Sequence, residues 1–360
     1  MNEKNRRTMN RRAFRTTASI LFVLLLSLSA GELTVRIFHF FHPLFIFYDD
    51  SYNRFRGRPF SPDFDFKLNS QGFKDTEFSE KKKGNFRIAA IGDSFAFGVV
   101  PYKHNYLTLL ESQLQDKGFD AEVCNLGIPS TGPGDYLAIL RQEALQLEPD
   151  MVLVSFFIGN DIIEGIRKKK WYEYSYAASL IRYLFVIRPK YEGQVVHGTG
   201  TYCDNCPSFD ESAYLNVEKE RSVLYLTERT DVLPLIDQVL APVEDMRNIC
   251  KELGIPFAVV IIPDEVQINK GLQQKVRAAL AVQDSDWNTV LPNERLAARL
   301  KDMGVAFLDL LPFFAEKAQT ERLYRPRDSH WNIAGNQLAA DVIQEYISNT
   351  VQIRQTEVQP

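Results

Sequence analysis

Five short runs of almost unbroken apolar residues recur along the chain, at 86–91, 121–126, 151–158, 257–262 and 305–310. Between and after them lie stretches in which apolar positions recur with helical spacing: 105–117, 136–147, 232–253, 294–303 and 333–347. A strand with one wet face alternates apolar and polar residues, whereas a strand that is apolar throughout is covered on both faces. The pattern therefore predicts an α/β fold, a three-layer α/β/α sandwich around a flavodoxin-like parallel sheet of about five strands.

Three stretches depart from this rhythm. At the N-terminus, Lys4, Arg6, Arg7, Arg11, Arg12 and Arg15 precede an uncharged run at 18–30, which Glu32 and Arg36 then interrupt before apolar residues continue to Phe41. A basic flank followed by an apolar run is a membrane-targeting segment, and the flank stays on the cytoplasmic side. The run spans a membrane if Glu32 and Arg36 reach an interface or a partner. Small residues around Ser27, Ser29 and Ala30 equally suit a signal peptidase, and 10–15 is similar to a degenerate twin-arginine signal, so anchor and cleaved signal both stay open, with an uncleaved anchor preferred. Every route carries the body across the membrane, which places the working domain in the periplasm or outside the cell.

Residues 41–85, with Pro43, Pro59 and Pro62, read as a connecting segment. Residues 167–230 read as an insertion over the carboxyl edge of the sheet, with a short helix at 178–187 and a Cys203-Asp204-Asn205-Cys206 loop. The expected organisation is a basic anchor at 1–40, a connector at 41–85, a catalytic-type domain at 86–348 containing the insertion, and a tail at 349–360.

The formal net charge of −4 leaves no electrostatic footprint for nucleic acid. With four cysteines no disulfide framework exists; Cys203 and Cys206 read as loop thiols or one local bridge, because no second pair at zinc spacing follows. Cys124 and Cys250 lie in apolar segments and read as core.

In an open α/β sheet ligands collect at the carboxyl ends of the strands, and four polar blocks fall there. Ser94 ends the first strand in the turn Gly92-Asp93-Ser94. Alone, that tripeptide is a turn with a helix cap. The second strand ends in 125–132, and the third in Gly159-Asn160-Asp161, where Asn160 alone would read as a capping residue. Loop N–H groups and an amide at these ends are suited to donate to the oxygen of a tetrahedral intermediate. Asp328-Ser329-His330 follows the last strand; if extended there, the two side chains share one side, so the carboxylate fixes the imidazole tautomer that takes a proton from a serine hydroxyl. Of five histidines, His330 is the best placed as base.

These four blocks, in this order, resemble the SGNH hydrolases, also called the GDSL family, from residue 86 to 347. The lead-in at 68–75 is similar to that of membrane-anchored members. The resemblance implies Ser94 as nucleophile and first oxyanion donor, Ser130 and Asn160 as further oxyanion donors, and Asp328 and His330 as acid and base, with no metal or cofactor. Two departures stand out. The family's usual acid position, three before the histidine, is Arg327, so that Asp328 gives the spacing of relatives resembling the alginate acetyltransferases; and the usual oxyanion glycine is Ser130, which leaves Gly127 or Gly132 as alternatives. The expected function is an exported serine esterase or O-acyltransferase working through an acyl-serine, on O-acetyl groups of a cell-envelope carbohydrate. A lipolytic esterase on membrane lipid and a non-catalytic glycan-binding scaffold are the rival readings.

Overall fold

The computed structural model describes residues 3–41, 56–164, 174–182, 184–185 and 201–350. The principal elements in chain order are α1 (Glu3–Phe41), β1 (Phe86–Ile91), α2 (Ser94–Phe97), α3 (Tyr106–Asp116), β2 (Ala121–Asn125), α4 (Pro133–Gln142), β3 (Met151–Phe157), α5 (Ile158–Glu164), α6 (Tyr176–Arg182), α7 (Glu211–Arg221), α8 (Leu233–Leu253), β4 (Phe257–Ile262), α9 (Leu291–Asp302), β5 (Ala306–Asp309) and α10 (Ile333–Thr350). They fall into two compact units, Met1–Asp50 with Lys168–Gly193, and Ser51–Arg167 with Gln194–Pro360.

The larger unit is built on a five-stranded sheet in the order β2-β1-β3-β4-β5, all neighbours parallel. This is the flavodoxin-like order, whose direction reverses between β1 and β3 and so opens a crevice at their carboxyl ends. Successive side chains of a strand point to opposite faces. Ala89 and Ile91 accordingly join Val152, Val154, Val259 and Ile261 in a core closed by α4, α8 and α9. Ile88 and Ala90 join Leu153, Val260 and Ile262 in the opposite core, closed by α3 and α10. Full burial of each such aliphatic side chain is worth roughly 1.5–3 kcal/mol, so strand sequences apolar on both faces are what this architecture requires. The fold class is the one the apolar pattern predicts.

The lead-in belongs to the same unit as the sheet. Lys74 is fully buried, donates from Nζ to the carbonyls of Gly98 (2.6 Å) and Val100 (2.5 Å), and pairs with Asp63 (2.5 Å). Asp75 accepts from the Asn125 N–H at 2.7 Å and from the Tyr102 hydroxyl at 2.9 Å. Residues 68–75 thereby tie together the loops that follow β1 and β2.

Most elements differ from the sequence expectations by one to three residues at an end, and two differ by more. The helix expected at 136–147 starts earlier, because Pro133 suits a first helical turn, and ends at Gln142 in a separate 3₁₀ turn, Ala144–Leu147. The short helix expected at 178–187 runs Tyr176–Arg182, and residues 186–187 lie outside the described residues, as do His197 and the tail from 351.

In the smaller unit, α1 is 39 residues long and its stretch Phe14–Phe38 is 25 residues, predominantly apolar, charged at Arg15, Glu32 and Arg36, with none of it buried. At about 1.5 Å per residue that stretch exceeds the roughly 30 Å of a bilayer's hydrocarbon core.

Gly127 shows how tightly the first two loops are packed. A Cβ there would lie 2.3 Å from the Phe97 nitrogen and 2.6 Å from the Ala96 carbonyl carbon, both backbone atoms that cannot swing aside. Gly127→Ala is expected to lower the unfolding free energy by roughly 1–3 kcal/mol despite the helpful loss of unfolded-chain entropy, as read from the urea midpoint.

Candidate active site

Ser94 is set by its neighbours rather than by its own contacts. The Asp93 carboxylate, wholly buried, caps α2 by accepting the Phe95 N–H at 2.9 Å. Burial pushes the Asp93 carboxyl up, against the pull of that N–H, His330, the Asn160 amide and Arg221. A Cβ on Gly92 would meet Ala96 at 2.9 Å and Ser155 at 3.0 Å, so the turn before Ser94 sits hard against β3. On the far side Asn105 donates to the carbonyls of Ala96 and Phe97, both at 2.9 Å, and holds the end of this single helical turn.

The second loop is tied to the first. The Asn125 amide donates to the Ala96 carbonyl at 2.8 Å, its oxygen accepts the Gly127 N–H at 2.9 Å, and the Ile128 N–H reaches the Gly92 carbonyl at 3.0 Å. Ser130 is exposed and left-handed, with φ of +60°. Its N–H donates to nothing among the described residues, whereas the N–H of Gly127 is taken by Asn125 and that of Gly132 by Asp135 (3.2 Å). Of the three oxyanion alternatives in this loop, Ser130 alone has its donor unoccupied.

The third block is the corner from β3 into α5. Asp161, buried, accepts from the Phe157 N–H at 3.0 Å and from the Tyr136 hydroxyl at 3.0 and 3.1 Å, which fixes the turn carrying Asn160. Asn160 is half-buried and bears on the Asp93 carboxyl beside Ser94.

The structure brings the fourth block to the first. His330 Nε2 lies 2.8 Å from Ser94 Oγ, and His330 Nδ1 lies 2.6 Å from Asp328 Oδ1. The condition under which the spacing alone would place the two side chains on one side is not met, because the chain is not extended here. It bends, and Asp328 Oδ1 also accepts the His330 backbone N–H at 3.0 Å, so a local side-chain-to-backbone turn brings the pair together. Arg327, three residues before His330, is exposed and left-handed with φ of +48°, and it is the neighbouring Asp328 whose carboxylate reaches the His330 ring. Below this segment the Trp331 indole packs on Phe95 (4.8 Å between ring centres), Phe314 (5.0 Å) and Tyr106 (5.6 Å), and Phe95 also faces the His330 ring at 5.3 Å.

Several residues that hold Asp328 carry no local sequence signal. Its second oxygen accepts from Arg325 Nη1 at 2.9 Å and from the Ser208 hydroxyl. Burial alone would push the Asp328 carboxyl up; His330, Arg325 and Ser208 overcome this and hold it well below the usual carboxylate range. Ser208 comes from the loop at 203–209, two residues beyond the short ring that the Cys203–Cys206 disulfide closes. That loop pairs along the acid-bearing segment: the Ser208 and Phe209 N–H groups donate to Pro326 and Arg327, and Asp204 accepts the Ile333 N–H at 3.0 Å where α10 begins. Cys124 and Cys250 are buried free thiols. Behind the segment, Arg221 donates to Ser329 Oγ at 2.6 Å and pairs with Glu218 (3.3 Å) and Asp264 (3.8 Å). Only the polar residues Asp204 and Asn205 within the CxxC pair and Ser208 and Asp210 just past it could have pointed to Ser208 in advance.

The arrangement supplies a hydroxyl, an imidazole in contact with it, and a buried carboxylate on the far ring nitrogen, which is what proton abstraction from serine needs. Among the described residues no group of His, Cys, Asp and Glu has the geometry to hold a metal ion.

Residues 224–360 match the model of a family described as SGNH hydrolase-like domain, acetyltransferase AlgX. The matched stretch contains Asp328 and His330; Ser94, Ser130 and Asn160 precede it. Among solved structures the chain is similar to an acetyl xylan esterase, AlAXEase, at 15% identity over 73% of this chain and 100% of that one, with a TM-score of 0.41. It is similar to TesA at 11% identity over 73% and 98%, with a TM-score of 0.42. It is also similar to a lipase/acylhydrolase from Enterococcus faecalis at 13% identity over 73% and 96%, with a TM-score of 0.39. A comparison with curated protein sequences found no match.

The Asp328 environment gives a prediction with a definite sign. A carboxyl lowered in the folded state adds stability above its unfolded pKa of about 3.9, and that stability is lost as pH falls below it, because the unfolded chain takes up the proton first. Arg325 is 1% and Asp328 5% exposed at the side chain, so Arg325→Met leaves a buried charge short of its partner. Denaturation midpoints are expected to fall by the equivalent of roughly 3–5 kcal/mol at pH 7 and to lose part of their decline on acidification below about pH 4.

Proposed function

We propose that this chain, which carries an SGNH hydrolase-like domain, is a serine esterase or O-acyltransferase. It is held in the membrane by α1, with its working domain outside the cytoplasm. The observation that carries the reading is the unbroken line from Ser94 Oγ through the His330 ring to Asp328, at 2.8 and 2.6 Å. A serine hydroxyl is a weak nucleophile until a base in contact removes its proton, and a neutral imidazole is that base only when its other nitrogen carries the proton. The Asp328 carboxylate, kept ionised, accepts that Nδ1–H.

Ser94 Oγ attacks the carbonyl carbon of an ester while His330 Nε2 takes the hydroxyl proton. The carbonyl oxygen becomes an oxyanion that accepts from the Ser94 and Ser130 N–H groups and the Asn160 amide. Collapse breaks the bond to the alcohol, which leaves with the proton from His330 and gives acyl-Ser94. An acceptor hydroxyl, from water or from a second substrate, then gives its proton to His330 and attacks the acyl carbon; collapse breaks the bond to Ser94 Oγ, which takes the proton back from His330. Each step uses side chains and backbone N–H groups alone.

Support for an acetyl group on a carbohydrate of the cell envelope comes from two sides. The matched family is described as an acetyltransferase. The basic residues before a 25-residue apolar stretch direct the remainder of the chain across the membrane. Ser94→Ala is expected to lower turnover of an activated acetate ester by at least about a thousandfold, and retained turnover would remove the assignment. A fluorophosphonate probe should label the native chain and neither Ser94→Ala nor His330→Ala, an outcome a non-catalytic scaffold would not give.

A further inference from the structure

Two charges interrupt the apolar stretch of α1, and both are engaged by the same short segment. Glu32 accepts from Ser175 Oγ at 2.8 Å and from the N–H groups of Tyr176 and Ala177, each at 2.9 Å. Arg36 Nε pairs with Glu32 at 2.8 Å, its Nη2 donates to the Tyr174 carbonyl at 2.9 Å, and its guanidinium lies 4.2 Å from the centre of the Tyr176 ring. The Ala178 N–H is met by Ser175 Oγ at 3.1 Å. The N-terminal N–H groups of α6, which no intrahelical carbonyl can satisfy, are thus closed by the anchor and by Ser175.

This closure is what a low-dielectric setting demands. In water the first N–H groups of a helix are hydrated at little cost, and a helix of seven residues gains too few bonds to form alone. In hydrocarbon each unpaired N–H or C=O costs several kcal/mol, and a lone carboxylate costs more. Glu32 lies six residues before Phe38, about 9 Å along the helix axis, and eighteen after Phe14, about 27 Å. With the basic flank inside, that is the outer part of the span. The side chains that α6 and its continuation present fit the same medium: Tyr174, Ile181, Leu184 and Phe185 are 61, 58, 40 and 75% exposed.

We propose that residues 174–182, with Leu184 and Phe185, form a second membrane element, docked on α1 through Glu32 and Arg36 and immersed in the outer leaflet of the lipid bilayer. The proposal rests on the reading of α1 as a membrane anchor. It assigns to the two charges in the anchor a structural role and to the apolar side chains beyond them a lipid partner. The chain is then held to the membrane at two points in the sequence that lie 138 residues apart, as the Arg36–Tyr174 contact spans them.

The test uses the full chain in phosphatidylcholine vesicles that contain brominated lipid. The native thiols do not interfere, because Cys203 and Cys206 are bridged and Cys124 and Cys250 are buried. A fluorophore is attached at Ile181→Cys, Phe185→Cys, Leu25→Cys in the anchor, or Glu321→Cys on the exposed surface of the larger unit. Quenching by bromine at 181 and 185 as strong as at 25, with none at 321, is the expected result. Adding Glu32→Ala should reduce quenching at 181 and 185 towards the level at 321 while leaving 25 quenched. Quenching at 25 together with full access of aqueous iodide to 181 and 185 would overturn the proposal and leave the anchor intact; an unquenched label at 25 would overturn both. Unchanged quenching at 181 and 185 in Glu32→Ala would overturn the docking through Glu32.

Discussion

The site depends on one long-range contact, the 2.8 Å approach of Ser94 Oγ to His330 Nε2 across 236 residues of sequence. A hydrogen bond contributes about 1 kcal/mol net, far too little to offset the closure of such a loop. What brings the groups together is the sheet. β1 and β3, parallel and buried on both faces, and the edge strand β5 have their carboxyl ends fixed along one edge of the sheet, and the cores on either side supply the free energy that the contact itself lacks. The hydroxyl and the imidazole then meet because the segments carrying them leave that edge with little freedom. Asn125, Asn105 and Gly127 pin the first, and Trp331 packed among Phe95, Tyr106 and Phe314 pins the second.

This division explains what could be read from the sequence. The strands were legible because burial on both faces writes itself as an unbroken apolar run, a signal that depends on a residue and its immediate neighbours. Ser94, Asn160 and Asp328-Ser329-His330 were legible because each follows such a run and lies where a doubly wound sheet opens. The means of joining Asp328 to His330 was not, since an extended pair and a bend that accepts the histidine N–H have the same spacing. Ser208, Arg221 and the partners of Glu32 were hidden for a different reason. They act on residues 108 to 145 positions away, through contacts that only the folded chain creates.

The carboxylate of Asp328 shows the cost those distant residues meet. Burial alone would push it to take up a proton and cease to hold the imidazole as a carboxylate. The His330 ring, Arg325 and Ser208 together hold it well below the usual carboxylate range, and the loop at 203–209 that supplies Ser208 also accepts the first N–H of α10 through Asp204. The loop therefore fixes the acid–base segment at both of its ends. A departure in the motif, with Arg327 at the usual acid position, is absorbed in the same way: that residue turns outward in a left-handed conformation and the chain offers the next carboxylate to the ring.

Glu32 meets the same requirement in a different medium. Like Asp328 it is a carboxylate among apolar residues, and like Asp328 it accepts from an arginine, a serine hydroxyl and backbone N–H groups. In the larger unit the protein interior makes an unpaired charge expensive; along α1, on the proposal that it is a membrane anchor, the lipid does. A buried charge survives only where the chain brings donors to it, so each carboxylate marks a place to which a remote segment must return. At Asp328 that segment is the disulfide loop, and at Glu32 it is α6. Both segments come from the one stretch of sequence, 167–230, in which the alternation of strands and helices breaks off, which gives that interruption a physical task at two separate places.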